Sequence, residues 1–423
     1  MNWEIITFIA YFVILLGVAL VFYFNGTNKN SEDFFLGGRS MGPWVTALSA
    51  QASDMSAWLL MGLPGSILAF GFGQMWIGIG LALGTAANWI LCAKRLRTFS
   101  KAADDAITLP QYLTNRFATD SRSLQLTCAL IFLFAYTIYV ASALVAGTSV
   151  FTTLFPTVSP KIAMFAFLLI IVAYTFFGGF TAVCWTDFFQ GLLMMLALML
   201  VPLVVCIGHS DLLDPAALTT VYEYTDAATG AVTQCAFGGG IFDASWQDIV
   251  SGLGWGLGYF GMPHILLRFM AIEDENKLKI SRRIATVWVF ISLIVATGIG
   301  VIGLTLSKNG IIDTLTGSES ETIIVKISHY LSTFNPVAAF IAGIILAGIL
   351  AATMSTADSQ LLAASSAISQ NLAVEVLHIN MSKKTSMLVA RLTVVVISVI
   401  SIFFALDPTS SVFKIVSFAW AGF

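Results

Sequence analysis

The chain has 423 residues, 58% of them hydrophobic and 10% charged, with a mean hydropathy of +0.89 and a formal net charge of −3. Soluble domains carry about 25% charged residues, so that class is excluded. Segments of about ten residues alternating apolar and polar are not found, which excludes a membrane barrel and leaves an all-α polytopic protein with the lipid bilayer as partner and no feature calling for nucleic acid.

Apolar runs cover 5–24, 43–70, 72–93, 124–154, 162–182, 186–208, 246–270, 284–306, 334–357 and 387–406, and an eleventh begins near 412. Most are long enough to cross about 30 Å of hydrocarbon as a helix. The eleventh meets Phe423 too early to span, so the sequence reads as C-terminally truncated. The first run has no basic flank and no small-residue cleavage site, and reads as a span rather than a signal peptide. Cys92, Cys128, Cys184 and Cys206 lie in or beside apolar runs and Cys235 in a polar loop, which implies no disulfide framework.

Placing the N-terminus outside and alternating the spans puts most of the 20 basic residues on one side, from Lys29 and Arg39 through Arg95, Arg116 and Arg283 to Arg391. The loop 209–245 falls on the other side, with Asp211, Asp214, Glu223, Asp226 and Asp243 and no Lys or Arg. That asymmetry fits the positive-inside rule and predicts a multi-pass protein of the plasma membrane, in a bacterium the inner membrane. No intervening stretch is long enough to bury its own core, so 1–423 reads as one transmembrane domain.

Two runs look broken. The second has Ser49, Ser53, Asp54 and Ser56 ahead of Gly62, Pro64 and Gly65; the seventh has Gly252, Gly254, Gly256, Gly258 and Gly261 ahead of Pro263. Broken helices at matching places in two halves mark the binding site of an inverted-repeat transporter. The halves would be 43–208 and 246–423, with span one outside the repeat.

Asp54 is the sharpest single residue, because a carboxylate inside a span costs roughly 2.5–3.5 kcal/mol on insertion scales and marks function by default. Capping the helix break is its bland alternative. Asp187 opens the sixth run, where a helix N-terminal carboxylate is ordinary. Ala352, Ser355 and Thr356 share one helix face and offer the oxygen ligands a hard cation takes, although membrane hydroxyls also bond neighbouring backbone. His209, His264, His329 and His378 lack ligand spacing, no Walker A pattern is present, and no nucleophile has a plausible base. An enzyme is not expected, nor is any organic cofactor.

The strings GGRSMGPWVTALSAQASDMSAWLLMGLPG at 37–65, TLPQY at 108–112, FGGF at 177–180, WTD at 185–187, GWGLGYFGMPH at 254–264 and AATMST at 351–356 resemble the sodium/solute symporter family, most of all its bacterial sodium/proline members. The likeness runs in order along nearly the whole chain. It implies a leucine-transporter-like five-plus-five inverted repeat with an extra N-terminal helix, alternating access, and sodium as coupling ion. Family members have around thirteen spans, more than this chain holds.

Carried over, the sodium ligands would be the carbonyls of Ala52, Met55 and Ala352 and the hydroxyls of Ser355 and Thr356, with Asp54 serving coupling. The substrate site would hold Ser56, Tyr139, Trp255, Tyr259 and Pro263, shaped by Ala57 and Gly62. Ala57 stands where glycine is usual and Met262 where glutamine is usual, so preference could differ. The resemblance thus implies import of a small amino acid, L-proline first. Another amino acid, a sugar or a carboxylate, coupling to protons through Asp54, or a transporter-like sensor are the alternatives.

Overall fold

The computed structural model of the protein describes residues 3–24, 31–119, 122–208, 210, 221–225, 230, 232–236, 240–315, 317–406 and 411–423. Lys29, His209, Asp211, Asp214 and Asp226 lie outside them.

The chain opens with α1 (Trp3–Phe24), a short α2 (Ser31–Leu36), and the second apolar run in two pieces, α3 (Pro43–Ala57) and α4 (Leu63–Phe70). Then come α5 (Met75–Leu91), the amphipathic α6 (Ala93–Ala102), α7 (Leu109–Arg116) and α8 (Arg122–Leu154). Thr108 starts α7 by accepting the Gln111 N–H, with Pro110 in the first turn, an arrangement that satisfies orphan donors where proline needs none.

The fifth and sixth runs form one helical stretch, α9 (Pro160–Gly208), of 49 residues. At 1.5 Å per residue it would reach about 74 Å, far more than one bilayer. It does not run straight. Gly179 has φ 68 and ψ 178, a conformation nearly confined to glycine, and the Tyr174 hydroxyl hydrogen-bonds the Thr186 hydroxyl. In a straight helix those residues would be about 18 Å apart, so the chain turns back at Gly179. Two spans come from one stretch.

The all-α expectation misses one element, a two-stranded antiparallel hairpin of β1 (Val221–Thr225) and β2 (Val232–Ala236) in the 209–245 loop. The seventh run follows as α10 (Trp246–Gly254), a tight turn of 3-10 helix at 255–260, and α11 (Pro263–Ala271). Ser245 and Asp248 form a capping box at the start of α10. Next are α12 (Leu278–Lys308), α13 (Ile323–Ser332), α14 (Pro336–Ser366), α15 (Lys383–Ala405) and α16 (Val412–Trp420). Asn335, Ser382 and Ser411 cap α14, α15 and α16.

Among the described residues, α1, α8, α9, α12, α14 and α15 are long and apolar enough to cross a membrane. The broken pairs α3/α4 and α10/α11 are the second and seventh runs. Helix α14 is the hub, packed on α1, α3, α8 and α9, and residues 342–369 are almost wholly buried. Helix α1 lies against α14 and α9, where Gly343 leaves space for Thr7.

Candidate functional site

The site begins with the break in the second run. Ser56 has φ 47 and ψ −171, a backbone state that costs a non-glycine residue of order 1–3 kcal/mol. Its hydroxyl accepts the Trp58 N–H at 3.0 Å, which compensates in part. The chain then widens into a π-turn over Trp58–Gly62. Gly62 belongs to the site indirectly: a Cβ there would meet the Trp58 ring at 2.9 Å.

Against this break lies α14. The Ser355 hydroxyl is 2.8 Å from the Ala52 carbonyl and 3.2 Å from that of Ala352, and the Thr356 hydroxyl is 3.1 Å from the Ala352 carbonyl. Four of the five oxygens expected to hold sodium therefore meet in one buried cluster. The fifth, the Met55 carbonyl, accepts the Trp58 N–H at the break. Two hydroxyl protons face two carbonyls here, and the four oxygens carry more lone pairs than those protons occupy. A neutral, oxygen-only set with lone pairs to spare suits a hard monovalent cation. Among the described residues no group of His, Cys, Asp and Glu is arranged to hold a metal.

Asp54 faces a different way. Its carboxylate accepts the Tyr259 hydroxyl at 2.6 Å, and it lines a residual cavity with Met55, Trp58, Leu81, Tyr139, Trp255, Tyr259, Val416 and Trp420. That cavity measures about 10 Å³, space for roughly one water. Tyr139 reaches the Ser56 hydroxyl at 3.5 Å. Overhead the indoles of Trp58, Trp255 and Trp420 stack in series, with centroids 5.5 and 6.1 Å apart, and Phe413 closes on Trp255 at 5.8 Å. Trp420 Nε1 donates to the Trp255 carbonyl at 2.8 Å, while Gly258 leaves the indole its space.

The unwound segment 255–260 is held from below by α5. Asn88 Nδ2 donates to the Tyr259 carbonyl at 2.9 Å, and Gly80 and Gly84 lie directly on the backbone of Gly252 and Gly256. Of the expected substrate residues, Tyr139, Trp255 and Tyr259 line the cavity and Ser56 joins through Tyr139. Ala57, Met262 and Pro263 do not line it; they are buried in α3 and at the start of α11.

Sequence reasoning missed Trp58, Leu81, Val416 and Trp420. Phe413, Val416 and Trp420 share one face of α16, a pattern visible at i, i+3 and i+7, in a run too short to span the membrane. Asp358 was also overlooked. It is fully buried in α14, and among the described residues no group meets either carboxylate oxygen at full hydrogen-bond geometry.

Asp187 is more than a helix-start carboxylate. It pairs with Arg268 at 3.0 Å, both side chains being buried. Ser49 donates to the same carboxylate oxygen at 2.7 Å, and Arg268 also donates to Ser49, to the His264 carbonyl and to Ser359. One node thus ties α3, α9, α11 and α14 together. His264 is structural, its Nδ1 bonded to the Tyr136 hydroxyl at 2.9 Å.

The model of the sodium:solute symporter family matches residues 34–423. The chain belongs to this family. The sodium/proline symporter of Salmonella typhimurium is 41% identical over 99% of this chain and 80% of its own length. An osmoregulated proline transporter of Bacillus subtilis is 39% identical over 98% of this chain and 80% of its own. In fold, the chain matches a Na+-coupled sialic acid symporter solved in a substrate-bound outward-open state, with a TM-score of 0.75 and 20% identity, over 96% of this chain and 82% of that one. The family member described here is accordingly a multi-pass membrane transporter with a leucine-transporter-like fold that couples a small solute to sodium, and not an enzyme.

Proposed function

We propose that this symporter imports L-proline, with one sodium bound by the carbonyls of Ala52, Met55 and Ala352 and the hydroxyls of Ser355 and Thr356. The observation that carries the ion site is the contact of the Ser355 hydroxyl with the Ala52 carbonyl, which joins the broken span to α14 one turn before Ser56. The observation that favours proline is the pairing of an aromatic wall with a helix break. Indole faces suit a pyrrolidine ring, and backbone N–H groups freed at a break suit a carboxylate. Ala57 and Met262, the two departures from the proline pattern, lie outside the cavity lining, which supports an unchanged preference.

In this reading Tyr139, Trp255 and Tyr259 contact substrate, with Trp58 and Trp420 covering it. Asp54 acts through Tyr259 rather than as a direct sodium ligand. The N-terminus lies outside a bacterial inner membrane, and 43–208 and 246–423 are the two repeats. The shut cavity must open for entry, by parting α16 from Trp58 and Trp255. Sodium held between α3 and α14 orders the stretch through Ser56, and that in turn orders the Asp54–Tyr259 contact. Coupling requires each ligand to raise the affinity of the other by the same factor. A potential of 100 mV supplies about 2.3 kcal/mol per charge and a tenfold gradient about 1.4 more, enough to hold proline several hundred-fold uphill.

Equilibrium binding of labelled proline, titrated against sodium and against potassium, tests the proposal. Affinity rising with sodium alone supports it; the same affinity in both salts would sink it.

A further inference from the structure

A groove of about 520 Å³ lies along the outer face of α3, α9 and α12, lined by none of the residues of the aromatic cavity or the Ser355 cluster. Each helix contributes a stripe at helical spacing: Trp44 and Leu48 from α3, Met195 and Met199 from α9, Val287 and Ile291 from α12. Two contacts set its frame. Ser281 Oγ donates to the Pro43 carbonyl at 2.8 Å, so α3 and α12 begin side by side, and Trp288 Nε1 donates to the Gly191 carbonyl at 3.2 Å. Trp44 and Arg283 therefore stand at the same end.

Arg283 is the one charged residue in the lining, and among the described residues it forms no ion pair. The acids that precede α12 are engaged elsewhere, Glu273 with Lys277 at 2.6 Å and Glu275 with Lys94 and Thr98. Lys279 and Arg282 add positive charge at the same end of the helix. Apolar side chains alone are ordinary on a lipid-facing surface. A concave apolar trough headed by an unpaired guanidinium is not. From Arg283 to Ile291 the helix rises about 12 Å, close to the depth of one leaflet, about 15 Å. Basic pockets between membrane helices bind anionic head groups.

We propose that this groove is a binding site for an anionic phospholipid, with its phosphate on Arg283 and an acyl chain along the stripes of α9 and α12. The site bears on transport through α3. Gly191 lies against Leu48 and Ala52, and the Ala52 carbonyl takes the Ser355 hydroxyl. A chain seated beside Trp44 and Leu48 touches that half-helix one turn before Ala52.

Tryptophan quenching tests the proposal. The protein is placed in phosphatidylcholine vesicles containing a minor fraction of phosphatidylglycerol with brominated acyl chains, or the same fraction of brominated phosphatidylcholine. Subtracting the signal of Trp44→Phe isolates Trp44. One basic contact predicts a preference of roughly five-fold for the anionic lipid at Trp44. Arg283→Gln removes the preference and Arg283→Lys keeps most of it, each with an unchanged melting temperature. Val287→Phe fills the groove without adding an indole and abolishes the preference while Arg283 stays in place. Equal quenching of the wild type by both lipids, or a preference that survives Arg283→Gln, overturns the proposal.

Discussion

The Tyr259 hydroxyl donates to the Asp54 carboxylate at 2.6 Å across two broken helices that lie 205 positions apart in the chain. It is the shortest polar link between the half-helix that carries the ion cluster and the unwound segment that carries the aromatic wall. Leaving a buried carboxyl without its partner costs roughly 1–3 kcal/mol, so Tyr259→Phe is expected to lower uptake efficiency by about 5- to 100-fold. Tyr139→Phe, which removes only a 3.5 Å contact to Ser56, is expected to do less to the sodium dependence. Initial rates of both variants across sodium concentrations decide this, and an equal loss in the two would contradict it.

The ion cluster makes a prediction of a different kind. Thr356→Val keeps the shape and deletes one oxygen, so half-saturation by sodium should rise by about 5- to 30-fold, on the order of 1–2 kcal/mol. Proline affinity at saturating sodium should stay near that of the wild type, and Thr356→Ser should restore most of the loss. A change in proline affinity alone would place Thr356 in the substrate site.

The node at Asp187 and Arg268 concerns stability. Removing one partner of a buried ion pair costs about 3–5 kcal/mol, because the other charge is left uncompensated. Arg268→Gln should therefore lower the melting temperature far more than Arg282→Gln, whose side chain has no buried ion partner among the described residues. The double variant Asp187→Asn/Arg268→Gln should recover part of the loss. A double variant as unstable as the sum of the singles would show that the two are not paired.

Glu321 ties the cover of the cavity in place. Lying between α12 and α13, it accepts the Ser411 hydroxyl and the N–H groups of Val412 and Phe413 at the start of α16. Burial raises its carboxyl above the ordinary glutamate range, outweighing those bonds. In the folded state it therefore holds its proton to higher pH than in the unfolded state. Its contribution to stability is complete below the unfolded value and falls as pH rises through the raised one. Glu321→Gln carries no such titration, so wild-type stability relative to this variant should decline from mildly acidic toward neutral pH. Thermal melts of both proteins across that range measure it, and a gap that widens in the opposite sense would contradict the sign.

Much of this was legible in the residues. The glycines and prolines at 62–65 and 252–263 announced broken helices because they disfavour a continuous ladder, and Asp54 stood out because a carboxylate in a span needs a reason. Asp358 carries the same signal two residues after Thr356. The reversal at Gly179 falls inside the fifth apolar run, a few residues before the gap that follows it, and is not legible there, since the φ of a glycine is not written in its neighbours. The Asp187–Arg268 pair was invisible because adjacency across 81 positions belongs to tertiary packing rather than to periodicity. Trp420 lies in a run whose length hides its role, since only the face it presents connects it to the cavity.

Labelled proline uptake into proteoliposomes, with and without an inward sodium gradient, tests the central claim most directly. The account predicts accumulation above equilibrium only under the sodium gradient, and its loss in Thr356→Ala. Uptake indifferent to sodium would contradict it.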